Sequence, residues 1–202
     1  MTLRPSHWAV LVFTLAYVVG FAIWFLAIGN VEFLWYIATL LFFVALIALT
    51  IGRTKFPPFI LWGLSGWGLA HMAGGGIEVG GSVLYALVLV PIVGDGELRI
   101  LKYDQVVHFY GFAVTAIVLW HLLRTNFPEL RGTWTIYCFS ALASMGLGCL
   151  NELIEFAAVL GLPDTNVGGY YNTALDLAFN SAGAVIAMLL VRATAGRDAA
   201  PA

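Results

Sequence analysis

Six long apolar runs, residues 8–28, 33–51, 57–73, 103–123, 134–160 and 173–193, leave this chain very few folds to adopt. A helix needs roughly 20 apolar residues to cross the hydrocarbon core of a bilayer, and each run is near or above that length. An unpaired backbone amide in lipid costs several kcal/mol, so a spanning segment is either a helix or a strand of a closed barrel. Barrel strands alternate polar and apolar residues, and these runs do not. The expected fold is therefore all-α, a polytopic bundle of six transmembrane helices forming one integral membrane domain over 1–202.

Composition agrees with this. Of the 202 residues 61% are hydrophobic and 10% charged, whereas a water-facing surface needs about 25% charged residues. The net charge of −2 excludes the dense basic face that nucleic-acid binding requires. The run after Arg4 is longer than a signal-peptide core and lacks a small-residue cleavage site, so it reads as an uncleaved first span. Cys138 and Cys149 stand about 16 Å apart along one helix, too far to form a disulfide.

Orientation follows from the basic residues near the span ends. Arg4, Arg53, Lys55, Arg124, Arg131, Arg192 and Arg197 fall on the side shared by both termini, while Arg99 and Lys102 fall opposite. Both termini are thus expected on the cytoplasmic side. Most acids fall on the other side: Glu32, Glu78, Asp95, Glu97, Asp104, Glu152, Glu155, Asp164 and Asp176. The one long connection, 74–102, has an apolar stretch from Val83 to Val93 too short to span. Gly94-Asp95-Gly96 suits a primed turn, predicting a short extracytoplasmic hairpin between the third and fourth helices. Pro91 would confine its strand to an edge.

Depth is the most informative property of the polar residues. On the fourth helix Asp104 and His108 share a face by i,i+4 spacing, near the outer end. On the fifth, Glu152 and Glu155 lie about 27 and 31 Å from Trp134, and Asn151 shares a face with Glu155. On the sixth, Asp176 and Asn180 again have i,i+4 spacing, and His71 on the third helix reaches a similar level. Ionisable groups inside spans face the bundle interior or a water-filled cavity. The small residues Ser140, Ser144, Gly148, Gly183 and Ala187 permit the close helix contact a shared pocket needs.

Four carboxylates, Asp104, Glu152, Glu155 and Asp176, cannot all be ionised together without a neutralising partner, because each raises the others' proton affinity. The candidates are Arg99 or Lys102, shared protons, or a bound divalent metal. A carboxylate-rich ligand set of Asp104, His108, Glu152, Glu155 and Asp176 suits Mg, Mn or Ca, and a set richer in imidazole suits Zn or Fe. His7 and His121 are too far away to join, and Asp164 after Pro163 reads as a turn residue. Trp8, Trp35, Tyr36, Trp134, Tyr170 and Tyr171 fit interfacial aromatic belts. No motif of a nucleophilic hydrolase, zinc protease or nucleotide-binding loop is present.

The pattern Tyr103-Asp104-x-x-x-His108-Phe109-x-Gly111-Phe112, then Asn151-Glu152-x-x-Glu155-Phe156, then Asp176-Leu177-x-x-Asn180-x-x-Gly183-Ala184 resembles the YjdF-like bacterial inner-membrane proteins. Its closing helices also resemble those of VanZ-like proteins, which are associated with glycopeptide-antibiotic tolerance. The resemblance covers 103–187 and implies no established activity. In YjdF-like chains a compact Asp-Thr and Asp-Met arrangement precedes the last helix; here a Gly-Tyr-rich insertion separates Asp164-Thr165 from Asp176, which with Asn180 is closer to the VanZ-like form.

Three functions stay open on these residues. One is a His/carboxylate pocket that binds a divalent cation or an envelope lipid headgroup. In its enzymatic version, a metal-dependent lipid hydrolase or transferase, His108 or Glu155 is the general base. The second is a proton- or ion-coupled transporter, and the third an accessory membrane subunit with a structural polar cluster. Membrane lipids are the expected partners.

Overall fold

A computed structural model of the protein describes residues 4–93, 98–161 and 168–195. Six long helices dominate it: α1 (Pro5–Ile28), α2 (Val31–Thr54), α3 (Pro58–Gly76), α4 (Tyr103–Asn126), α5 (Trp134–Gly161) and α6 (Tyr170–Ala195). All except α3 are long and apolar enough to cross a membrane. Each run read from the sequence lies within or nearly within one of these helices, whose ends extend by a turn or less in most cases.

The chain runs up and down. His7 Nε2 meets the Phe56 carbonyl at 3.3 Å and His121 Nε2 the Thr54 carbonyl at 2.9 Å, tying the start of α1, the α2–α3 link and the end of α4 together. At the other end Trp24 Nε1 donates to the Gly76 carbonyl at 2.8 Å. We call these the termini end and the hairpin end. His7 and His121 therefore serve as staples at the termini end. Arg4, Arg53, Lys55, Arg124, Arg131 and Arg192 all belong to that end; Arg197 and Asp198 lie outside the described residues.

Local chemistry explains the helix boundaries. Asn30 caps α2 by accepting from Phe33 N at 3.1 Å, after Gly29 turns the chain with φ 71°, as short polar caps and left-handed glycines do. Gly74-Gly75-Gly76 forms the last turn of α3. The rings of Tyr85, Phe33 and Phe21 occupy the space where side chains on these glycines would stand, so the aromatic packing requires bare backbone there.

Between α3 and α4 the chain makes two antiparallel ribbons. β1 (Glu78–Val79) pairs with β2 (Ser82–Val83) around Gly80 and Gly81, whose φ of 62° and 84° a residue with a side chain rarely adopts. A short 3₁₀ turn over Leu84–Ala86 follows, then β3 (Val88–Val93) pairs with β4 (Ile100–Lys102) in the register Val88 to Lys102 and Val93 to Ile100. This is the hairpin expected from the sequence; its Gly94-Asp95-Gly96 turn and Glu97 lie outside the described residues, as do Pro163, Asp164 and Thr165. Tyr103 N donates to the Leu87 carbonyl at 2.9 Å and fastens the ribbon to α4.

Packing divides the molecule into two halves. In α4, α5 and α6, Ala116, Ile136, Tyr137, Ala184 and Met188 form one core. In the other half, Val18, Phe25, Phe33, Tyr36, Ile37 and Met72 form a core at the hairpin end, and Val10, Phe56, Ile60 and Leu61 one at the termini end. The two halves meet along α3 and α4, where Gly63 admits Val114 and Gly111 admits Trp67.

Candidate His/carboxylate centre

Small residues bring the polar side chains together. Gly183 on α6 lies against the Phe109 carbonyl of α4, where any Cβ would collide. Gly148 on α5 leaves room for Asn180, whose Cβ a glycine-borne methyl would approach to 3.1 Å. Ser144 Oγ donates across to the Phe112 carbonyl at 2.8 Å, which joins α5 to α4 without an unsatisfied group. These contacts continue upward into a cluster at the hairpin end, built from α4, α5 and α6.

His108 is its centre. Its Nε2 faces Asp104 Oδ1 at 3.5 Å and Glu155 Oε1 at 4.0 Å. Its Nδ1 faces Asn180 Oδ1 at 3.1 Å and Glu152 Oε1 at 3.5 Å. Asn180 Nδ2 donates to Glu152 Oε1 at 3.4 Å, and Asn151 Nδ2 to Glu155 Oε1 at 2.8 Å. Asp176 and Asn180 are 1% exposed, His108 and Glu152 6%. Such burial leaves little water to satisfy charge.

The sequence reading missed one member of this group. Asn172, in the first turn of α6, donates from Nδ2 to Asp176 Oδ2 at 2.6 Å and to Asp104 Oδ2 at 3.1 Å, and its Oδ1 accepts from Lys102 Nζ. Lys102 thus reaches the acids through an amide. Arg99 offers its backbone carbonyl to Gln105 Nε2 at 2.7 Å, and Gln105 Oε1 accepts from Lys102 N at 3.1 Å. That pair of bonds fixes the junction of β4 and α4, and with it the stem of Lys102.

One oxygen stands out. Asp176 Oδ1 is fully buried and has no hydrogen-bond partner among the described residues, an arrangement that costs stability unless something else occupies the place. Two sets of potential ligand atoms each lie within 4.8 Å of one another: Asp104, His108 and Asp176, and His108, Glu152 and Glu155. An oxygen-rich set with one imidazole is chemically suited to a divalent cation.

His71 is bonded to Tyr85: its Nδ1 is hydrogen-bonded to the Tyr85 hydroxyl, and its ring packs against Tyr36 at 5.1 Å and Phe33 at 5.9 Å. Burial pushes the Tyr85 phenol up, and the negative charges of Asp104 and Glu155 push it the same way, so Tyr85 keeps its proton. A surface groove between α1 and the end of α3, lined by Tyr17, Phe21 and Trp24, contains none of the clustered acids.

No curated protein and no solved structure matches the chain. The family described as "Predicted membrane protein (DUF2238)" matches over residues 8–197. That match covers almost all of the chain and includes every residue of the cluster, and by it the protein belongs to this family of membrane proteins, the YjdF-like family of the resemblance above.

Proposed function

We propose that the protein binds a divalent cation in the centre formed by Asp104, His108, Glu155 and Asp176, at the extracytoplasmic side of a bacterial inner membrane. The observation that carries this reading is the unpartnered, buried Oδ1 of Asp176, on a carboxylate with an oxygen within 4.8 Å of ligand atoms of Asp104 and His108, where His108 Nε2 is already flanked by two carboxylates. His108 Nε2 is the ligand nitrogen in this reading. Asn180 and Glu152 engage Nδ1 and hold the ring in place, as outer partners of metal-bound histidines do. Three carboxylates with one imidazole favour Mn, Mg or Ca over softer ions.

The same reading makes the chain one membrane domain with six crossings and both termini cytoplasmic, in keeping with the basic residues at the termini end. In it α3 crosses as well: its 19 residues extend about 28 Å, and its polar residues are satisfied inside the bundle. Thr14 Oγ1 meets Ser65 Oγ at 2.7 Å, and Tyr17 donates to the Ser65 carbonyl at 3.1 Å. The VanZ-like likeness of the closing helix belongs to this reading through Asp176, Asn180 and Gly183.

In an enzymatic form Asp104, His108 and Asp176 would hold the cation, which would supply polarisation of an envelope lipid's ester or phosphate oxygen, and Glu155 would be left free of the cation to take the proton of the attacking water or acceptor hydroxyl as general base. Ion-coupled transport has less support, because the acids gather at one end of the helices and transporters bind near the midplane.

Elemental analysis of detergent-purified protein tests the reading. The expected result is about one divalent ion per chain, lost in His108→Ala and in Asp176→Asn while both variants remain monodisperse. Wild-type protein without stoichiometric metal, also after incubation with Mn²⁺, would overturn it.

A further inference from the structure

We propose that Asn172, anchored by Lys102, is the positioning residue of the centre, and that it turns one oxygen of Asp104 and one of Asp176 toward the cation by tying down the other. This rests on the cation reading above. The two aspartates are used alike. Asp104 gives Oδ2 to Asn172 and Oδ1 to the His108 side; Asp176 gives Oδ2 to Asn172 and leaves Oδ1 unpartnered. A single amide nitrogen therefore spans two carboxylates from different helices and fixes the rotation of both.

Chemistry fixes the orientation of that amide. An ammonium has only donors and an ionised carboxylate only acceptors, so the Asn172 oxygen must face Lys102 and its nitrogen the aspartates. Turned the other way, the amide would set oxygen against oxygen and NH₂ against ammonium. Lys102 thereby polarises the amide and strengthens its donation, since hydrogen bonds involving ionised groups are the stronger ones. Among the described residues the Lys102 ammonium donates its side-chain hydrogen bond to that oxygen, so its bonded route to the two aspartates runs through Asn172. The alternative view of Lys102 makes it a nearby positive charge that repels the cation, and this predicts the opposite sign on removal.

The experiment is a double-mutant cycle on Mn²⁺ affinity, read by calorimetry on full-length protein in detergent, with melting temperature measured in chelator as the control. Asn172→Ala should weaken Mn²⁺ roughly tenfold to a hundredfold, the usual effect of removing a partner that orients ligands. Lys102→Met should weaken it by less, and should have no further effect when Asn172 is already alanine. Lys102→Arg, which keeps a donor and the charge, should restore most of the affinity. The cation-free melting temperatures should stay close to wild type.

Tighter binding in Lys102→Met, or additive losses in the double variant, would overturn the inference while leaving the cation centre standing. So would losses of affinity that only track a falling melting temperature. Asn172→Ser serves as a second variant should the alanine prove unstable, with the same expected direction. Wild-type protein that binds no Mn²⁺ would overturn both this inference and the reading beneath it.

Discussion

Gly183 sets the distance between α4 and α6. Any side chain there meets the Phe109 carbonyl, a backbone atom that cannot rotate away, so the two helices would have to part. Gly183→Leu should therefore lower stability by about 1–3 kcal/mol, as overpacking does, and should also abolish cation binding, because Asp104 and Asp176 would separate. Gly146→Ala, which points into open space, should shift stability by no more than about 0.5 kcal/mol. Thermal melts with and without Mn²⁺ would check the pair. At this scale the sequence was most legible where spacing did the work: i,i+4 pairs put Asp104 with His108 and Asp176 with Asn180. It failed at Asn172, since a polar residue just before an apolar run looks the same as a helix cap. Asn172, Asp176 and Asn180 in fact continue one i,i+4 series. The bond between His71 and Tyr85 was also hidden, because depth along a helix says nothing about which neighbour a side chain faces.

Among the elements, α2 is the least embedded. Its buried residues, Glu32, Phe33, Tyr36 and Ile37, all fall in its first two turns, where Phe33 enters the space left open by Gly75. The rest presents Phe42, Phe43 and Leu49 outward. Phe33→Ala should cost about 3–5 kcal/mol, the range for a buried aromatic. Leu49→Ala, at a position 85% exposed, should be nearly neutral in a melt performed in detergent. The sequence delivered the six helices because apolar length is a strong signal. The hairpin was legible from Asp-Gly and its flanking β-branched residues, but the small β1–β2 ribbon was not, as two residues per strand leave no periodicity to detect. The glycines closing α3 read as a helix end, and only the aromatic rings packed on them reveal why three are needed.

For the molecule as a whole, the cysteine pair gives a route to topology. In a background carrying Cys138→Ala and Cys149→Ala, Ser82→Cys should react with a membrane-impermeant maleimide in intact cells. Thr54→Cys and Glu129→Cys should react only after permeabilisation. Labelling of Thr54→Cys and Ser82→Cys from the same side would mean that α3 does not cross. The halves contribute unequally to this architecture: α1, α2 and α3 hold an aromatic core at the hairpin end and a mostly aliphatic one at the termini end, while α4, α5 and α6 supply every side chain of the centre.

That imbalance bears on how the protein is made. Helices leave the ribosome in order, so α4 and α5 bring Asp104, His108, Glu152 and Glu155 into the bilayer while α6 is still being synthesised. Asn172, Asp176 and Asn180 arrive last. Glu155 has the Asn151 amide on its own helix from the start, but until the sixth helix docks Asp104 and Glu152 lack the amides of Asn172 and Asn180 that restrain them, and a chain halted before Asn172 would be inserted yet carry an unfinished centre.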